Sequence, residues 1–166
     1  MCIRDSNQTY QKFISRAKEA GIDGLILPDM AIEESKDYVK AAKKSGMDTI
    51  FLVSPNTQND RLKKIIKATS GFLYMVAVFG TTGVQTKIHK YTIDALKNTK
   101  RSANGKIPVG VGFGISTDKD VHKYVSSGAD AVIVGSANIK IMENTPENKI
   151  ESKIFTFTKK LKNKTR

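Results

Sequence analysis

Five short apolar runs recur along the chain, and a charged stretch with helical spacing separates each from the next. The runs are Asp23 to Pro28, Thr49 to Val53, Phe72 to Val78, Ile107 to Phe113 and Ala131 to Val134. Runs this short, bounded by turn residues, suit strands buried on both faces, which belong to parallel sheets. Between them, Tyr10 to Ala20 gathers Phe13, Ile14 and Ala17 on one helical face, and Glu33 to Lys44 gathers Tyr38, Val39 and Ala42. Asn59 to Ala68 does the same with Leu62, Ile65 and Ile66; Tyr91 to Lys100 and Asp118 to Ser127 complete the series. Pro146 to Lys162 reads as one further amphipathic helix, carrying Ile150, Ile154, Phe155, Phe157 and Leu161. Gly21, Gly46 and Gly128 each stand where a helix should stop, two residues before an aspartate that opens the next strand. Strands alternating with helices imply an α/β fold, a parallel sheet with right-handed crossovers. An open doubly wound sheet and a closed barrel both satisfy the pattern.

Composition narrows the function classes. The formal net charge is +12, but the lysines are spread through many segments and interleave with Asp and Glu. The densest run is the tail, Lys159-Lys160-Leu161-Lys162-Asn163-Lys164. A solvated basic surface accounts for this better than a nucleic-acid footprint, which gathers charge on one face. Cys2 is the one cysteine, so a disulfide framework and a cysteine metal site are both excluded. No apolar run approaches the ~18–20 residues of a membrane span, and the opening Met1 to Ser6 has no apolar core of a targeting peptide. The expectation is a cytoplasmic enzyme of one domain, with no membrane or nucleic-acid partner.

Ligands of parallel α/β folds bind at the carboxyl ends of the strands. The residues to weigh are therefore those just after each run: Pro28-Asp29, Ser54-Pro55-Asn56, Gly80-Thr81-Thr82-Gly83, Gly112-Phe113-Gly114-Ile115-Ser116 and Gly135-Ser136-Ala137. Glycine lets backbone N–H groups approach an anion closely. Two glycine loops on the last two strands, followed by a possible short helix from Ala137 to Lys140, match the phosphate site of a barrel; the alternative is that they only turn the chain. Gly80 to Gly83 and the polar stretch to Lys87 form either a lid or an ordinary connection. Tyr74 shares one strand face with Phe72, Val76 and Val78, as a core tyrosine or a site residue. Asp29 is equally a ligand or partner contact and an N-cap. His89 and His122 fall in charged, helix-like stretches, where surface roles are expected, although Asp118 could meet His122 on one helix face.

These residues, in this order, resemble the tryptophan synthase alpha subunit family. The resemblance rests on Ala20-Gly21-Ile22-Asp23-Gly24 with Leu27-Pro28-Asp29 and Glu33-Glu34-Ser35, on Ser54-Pro55-Asn56-Thr57, and on Gly71-Phe72-Leu73-Tyr74. It continues through Gly80-Thr81-Thr82-Gly83, Gly112 to Ser116, Gly128-Ala129-Asp130-Ala131 and Gly135 to Lys140, running from about Asn7 to about Pro146. It implies a (β/α)₈ TIM barrel, of which about the last five strands are present. The implied reaction is retro-aldol cleavage of indole-3-glycerol phosphate to indole and glyceraldehyde 3-phosphate, a step of tryptophan biosynthesis that uses acid–base groups and no metal or cofactor. The implied partner is the beta subunit, in an α2β2 tetramer; pyridoxal phosphate belongs to that subunit.

By the same resemblance, Gly83, Gly114, Gly135 and Ser136 would hold the phosphate. Tyr74 would line the site near the glycerol chain, Thr82 would belong to the lid, and Ile26, Phe113 and Ile133 would contact the indole ring. Two departures stand out. Val78 and Phe79 occupy the positions where many members carry Arg and Ser before the lid's first glycine. The family's catalytic glutamate and aspartate lie on an earlier strand and loop that no segment here resembles, and Glu33, Glu34 and Asp29 are not substitutes for them. Residues 1–6 resemble nothing in the family and read as an unrelated leader to a partial barrel domain over 7–166 in a partial reading frame. Another phosphate-binding barrel, an isomerase or synthase, would share the Gly112–Gly114 and Gly135–Ser136 signals without explaining Gly80–Gly83 and Tyr74. A non-catalytic phosphate-binding partner would fit the absent carboxylates.

Overall fold

A computed structural model of the chain describes residues 9–77 and 90–165. Helix α1 (Tyr10–Glu19) opens on Thr9, whose hydroxyl accepts the backbone N–H of Lys12, and ends before Gly21 at φ 84°. Strand β1 (Gly24–Ile26) leads through a 3₁₀ turn (Ile32–Glu34) to α2 (Lys36–Lys44) and β2 (Asp48–Val53). Then come α3 (Asn59–Ala68), β3 (Leu73–Val76), α4 (Lys90–Ala103) and β4 (Val109–Gly112). The chain continues through α5 (Asp118–Ser126), β5 (Ala131–Ile133), α6 (Ser136–Glu143) and α7 (Glu147–Lys162).

All five strands are parallel and lie in sequence order, β1-β2-β3-β4-β5. A doubly wound sheet reverses its strand order at a switch point; this one does not, so its sense of progression is that of a barrel wall. Among the described residues the sheet is open: β1 pairs only with β2, and β5 only with β4.

The two faces of the sheet differ. Leu73 and Met75 of β3 and Val109 and Val111 of β4 are fully buried and form the core with Leu62, Ile65, Leu96 and Val121 of the helices. Removing a side chain of this size from water contributes about 1.5–3 kcal/mol, which is why the charged helical segments fold back onto this side. The register puts Leu73 beside Phe51 and Val109, so Ile26, Ile50, Leu52, Tyr74, Gly110, Gly112 and Ile133 all face the other way, into the concave interior.

The recurring aspartates wire the amino ends of the strands. Asp130 accepts the backbone N–H of Val109 at 2.7 Å and Lys100 Nζ at 2.6 Å, tying α4, β4 and β5 together. Asp48 donates its backbone N–H to the Asp23 carbonyl at 2.8 Å and accepts the Ser70 hydroxyl at 2.8 Å.

Two helices depart from the expected bounds by three residues at one end, while the helix expected from Asp118 starts where the sequence puts it. The helix expected over Glu33 to Lys44 is broken at Ser35, which is 3% exposed and donates its hydroxyl to the Ile32 carbonyl at 2.8 Å. A serine that bonds its own backbone competes with helical hydrogen bonding. Helix α4 runs on to Ala103, which is 1% exposed and extends its apolar stripe. Helix α5 is capped by Thr117: its hydroxyl accepts the Asp120 N–H while the Asp120 carboxylate accepts the Thr117 N–H. Asp118 sits in the first turn and pairs with Lys160 of α7 at 3.6 Å.

Candidate functional site

The carboxyl ends of the strands gather most of the candidate residues. Ile26 is the last residue of β1 and is 43% exposed toward the interior. Tyr74 lies in the middle of β3, half-buried, and burial pushes its phenol above the ordinary value. Ile133 ends β5, directly beside Gly112 of β4. Because β4 and β5 are parallel neighbours, the loops that carry Gly114 and Gly135 leave the sheet at the same end, side by side. Thr82 and Gly83, with the rest of Gly80 to Lys87, lie outside the described residues, as do Val78, Phe79 and His89.

The loop after β4 is built on two left-handed residues in succession, Phe113 at φ 72° and Gly114 at φ 73°. Phenylalanine pays a steric cost in that region, so its conformation is held by what surrounds it. Its ring meets Tyr74 edge-on, with centroids 5.9 Å apart, while 56% of the residue stays exposed. Tyr74 in turn stands 6.4 Å from the Phe72 ring, tilted by 32°. Three aromatic rings thus descend from the rim into the interior.

The loop after β5 is a helix start. Gly135 is the N-cap of α6, and its carbonyl accepts the N–H groups of Asn138 at 2.9 Å and Ile139 at 3.3 Å. No side chain caps this helix, so the N–H groups of its first turn are the partial positive end of the helix. A β-carbon at Gly135 would find nothing within 4 Å, so the approach to this end is open. Ser136 is the first residue of α6 and is exposed. An anion beside this turn would meet backbone donors, a hydroxyl and the Gly114 loop on the neighbouring strand.

The remaining candidates are placed apart from that cluster. Asp29 lies in the turn after β1, closed by the Met30 N–H on the Leu27 carbonyl at 3.1 Å. It caps neither following helix, since Ala31 and Ser35 hold those positions. A cleft of about 430 Å³ near Met30, Ile32, Ser54, Thr57 and Arg61 contains none of the residues singled out for phosphate or ring contact. Arg61 there is paired with Glu33 at 2.7 Å. Among the described residues, no group of three His, Cys, Asp or Glu side chains is placed to hold a metal, and no helix is long and apolar enough to cross a membrane.

Two contacts next to these residues escaped the sequence. Gly112 lies against Tyr74: a β-carbon there would overlap the hydroxyl and come within 2.6 Å of Cζ. Thr92, 1% exposed in the first turn of α4, donates its hydroxyl to the Ala77 carbonyl at 3.1 Å, while the Ala77 N–H bonds the Gly112 carbonyl at 2.8 Å. A glycine after an apolar run signals a turn as readily as a ring contact, and a helical threonine carries no mark of its partner.

Comparison with known proteins gives a consistent answer. The family model described as tryptophan synthase alpha chain matches residues 6–166. The chain is 41% identical over 166 residues to the tryptophan synthase alpha chain of Methanosarcina acetivorans, covering 98% of this chain and 59% of that protein. It is 39% identical over 138 residues to that of Pyrococcus abyssi, covering 83% of this chain and 55% of the relative. A solved structure of the tryptophan synthase α2β2 complex from Pyrococcus furiosus superposes with a TM-score of 0.82 at 34% identity, over 92% of this chain and 60% of that one. The chain thus spans little more than half the length of these relatives. With the consecutive parallel strands and the paired glycine loops, these matches place the chain in the tryptophan synthase alpha chain family.

Proposed function

We propose that the chain carries the phosphate-holding and ring-holding part of a tryptophan synthase alpha subunit, the lyase that cleaves indole-3-glycerol phosphate in tryptophan biosynthesis. The observation that carries the reading is the side-by-side exit of the Gly114 and Gly135 loops next to the Tyr74–Phe113 ring pair. Backbone N–H groups of Gly114, Gly135 and Ser136 would receive the phosphate, with Gly83 as a fourth contributor. Ile26, Phe113 and Ile133 would flank the indole ring, Tyr74 would stand between ring and glycerol chain, and Thr82 would serve the lid over them. The wall of five consecutive parallel strands is read as an arc of a (β/α)₈ barrel.

Cleavage of the carbon–carbon bond between ring and glycerol chain needs a group to protonate the ring carbon and a base to take the glycerol hydroxyl proton. We assign neither role to a residue of this chain: the acid–base carboxylates lie outside these 166 residues, and the site uses no metal or cofactor. The family's α2β2 assembly supplies the partner, a beta subunit holding pyridoxal phosphate, and the setting is the cytoplasm. Titration with inorganic phosphate tests the binding half of the reading, and an indole-release assay tests the catalytic half. Phosphate binding without indole release is the expected result; no phosphate binding by the folded chain would sink the reading.

A further inference from the structure

Both inward-facing residues of β4 are glycines, Gly110 and Gly112, and the rings of Tyr74 in β3 and of Phe72 just before it occupy the space this leaves. The register sets Tyr74 beside Gly110 and Val76 beside Gly112. Yet the Tyr74 hydroxyl reaches Gly112, and the Phe72 ring reaches Gly110. Each ring therefore leans along the strand direction and lies over the glycine two residues beyond its own register partner, as side chains on a strand tend to lean.

Position 110 is the deeper of the two. A β-carbon there would stand 3.3 Å from Phe72 Cδ2, 3.3 Å from Phe72 Cε2 and 3.3 Å from Ile133 Cδ1. Those contacts are tight enough that the ring and the isoleucine would have to shift. Gly110 has no left-handed backbone requirement, so it is the missing side chain that matters. Phe72, the innermost of the three rings, and Ile133, at the end of β5, both lie over this bare backbone.

We propose that Gly110 is a specificity-determining position: its missing side chain lets Phe72 and Ile133 lie over β4, and this sets the depth of the apolar part of the site. The inference rests on the reading that an indole-sized ring enters beside Tyr74, Phe113 and Ile133. A side chain at 110 would lift Phe72 and Ile133 into the space of that ring. The Gly114 and Gly135 loops stand beyond the carboxyl end of β4, and no part of either is among the nearest atoms to a β-carbon at 110. The pocket would become shallower for the ring while its anion-binding rim stays as it is.

The chain has no tryptophan, so the fluorescence of added indole reports its own binding, and calorimetry with inorganic phosphate reports the rim. For the 166-residue chain, Gly110→Ala is expected to weaken indole about tenfold, the discrimination one methylene gives in an apolar pocket, and to leave phosphate within about twofold. Adding Phe72→Leu to that variant should recover indole binding. Phe72→Leu alone should deepen the pocket and improve 2-naphthol relative to indole, which tests the floor even if Gly110→Ala does not fold. Unchanged indole affinity in Gly110→Ala, or parallel loss of indole and phosphate, overturns the inference while leaving the functional reading in place. So does an unchanged naphthol-to-indole ratio in Phe72→Leu. A wild-type chain that binds neither probe overturns the functional reading and the inference together.

Discussion

A methyl group at position 112 has no room. It would overlap the Tyr74 hydroxyl, and forcing extra carbon into a packed contact costs about 1–3 kcal/mol. Gly112→Ala should lower the unfolding free energy by about that much, and Tyr74→Leu in the same molecule should cost less than the two single changes added together. Denaturant titration of the four chains measures the coupling; strict additivity would mean that the ring simply swings away. Tyr124 makes a second residue-scale case. Burial, the Asp120 carboxylate and Tyr91 push its phenol up to about 12. In the unfolded chain a tyrosine ionises near pH 10. The unfolded state therefore loses this proton first, and the stability Tyr124 contributes is full below pH 10 and lost as the pH rises toward 12. Tyr124→Phe should flatten that alkaline loss; an unchanged slope of melting temperature against pH between 10 and 12 would count against the assignment.

Among the elements, α5 and α6 start in opposite ways, and the contrast separates structure from function. Helix α5 is closed by a reciprocal capping box between Thr117 and Asp120. Thr117→Ala should cost about 1 kcal/mol, the usual worth of a hydroxyl cap, with no effect on phosphate binding. Helix α6 begins without a side-chain cap at Gly135, in open space. Gly135→Asp should therefore fold normally, since its β-carbon meets nothing, but place a carboxylate where the anion would sit. Phosphate affinity is expected to fall by about tenfold or more from like-charge repulsion. Calorimetry on the two variants checks both statements, and the opposite pattern would exchange the roles given to the two helix starts.

At the scale of the whole molecule, the sheet has two lateral edges and one uncovered concave face among the described residues. Each edge strand presents unpaired backbone groups on one side, a template for association. Ile26 is 43% exposed on the concave face, and Phe155, Ile139 and Met142 of the last two helices are also exposed. The +12 charge opposes association, but charge acts over a distance while edge pairing is local. Sedimentation velocity of the 166-residue chain should show species that grow with protein concentration, and its indole release should be at background. A single monomeric boundary at all concentrations would show that the edges are protected, and turnover near that of a full-length relative would show that the acid–base groups are among these residues after all.

The strands, their parallel sense and the helices between them were legible in the chain itself, because burial on both faces imposes short apolar runs and one-sided helices leave a 3.6-residue stripe. Asn59–Ala68 and the start of β5 at Ala131 fall where that pattern puts them. So do the loops at the carboxyl ends, since glycine clusters after a buried run are visible without coordinates. The break at Ser35 and the capping role of Thr117 were not, because each depends on which backbone atom a hydroxyl meets. Strand order was legible only through the family resemblance: alternation of strands and helices is the same in a doubly wound sheet and in a barrel wall, and pairing is what tells them apart. Above all, Gly110 reads in the chain only as part of a buried apolar run, and Gly112 as part of a glycine loop after it. Only the tertiary structure lays Phe72 and Tyr74 across them, because that contact joins residues 38 positions apart (Phe72 to Gly110, Tyr74 to Gly112) through the lean of side chains over a neighbouring strand.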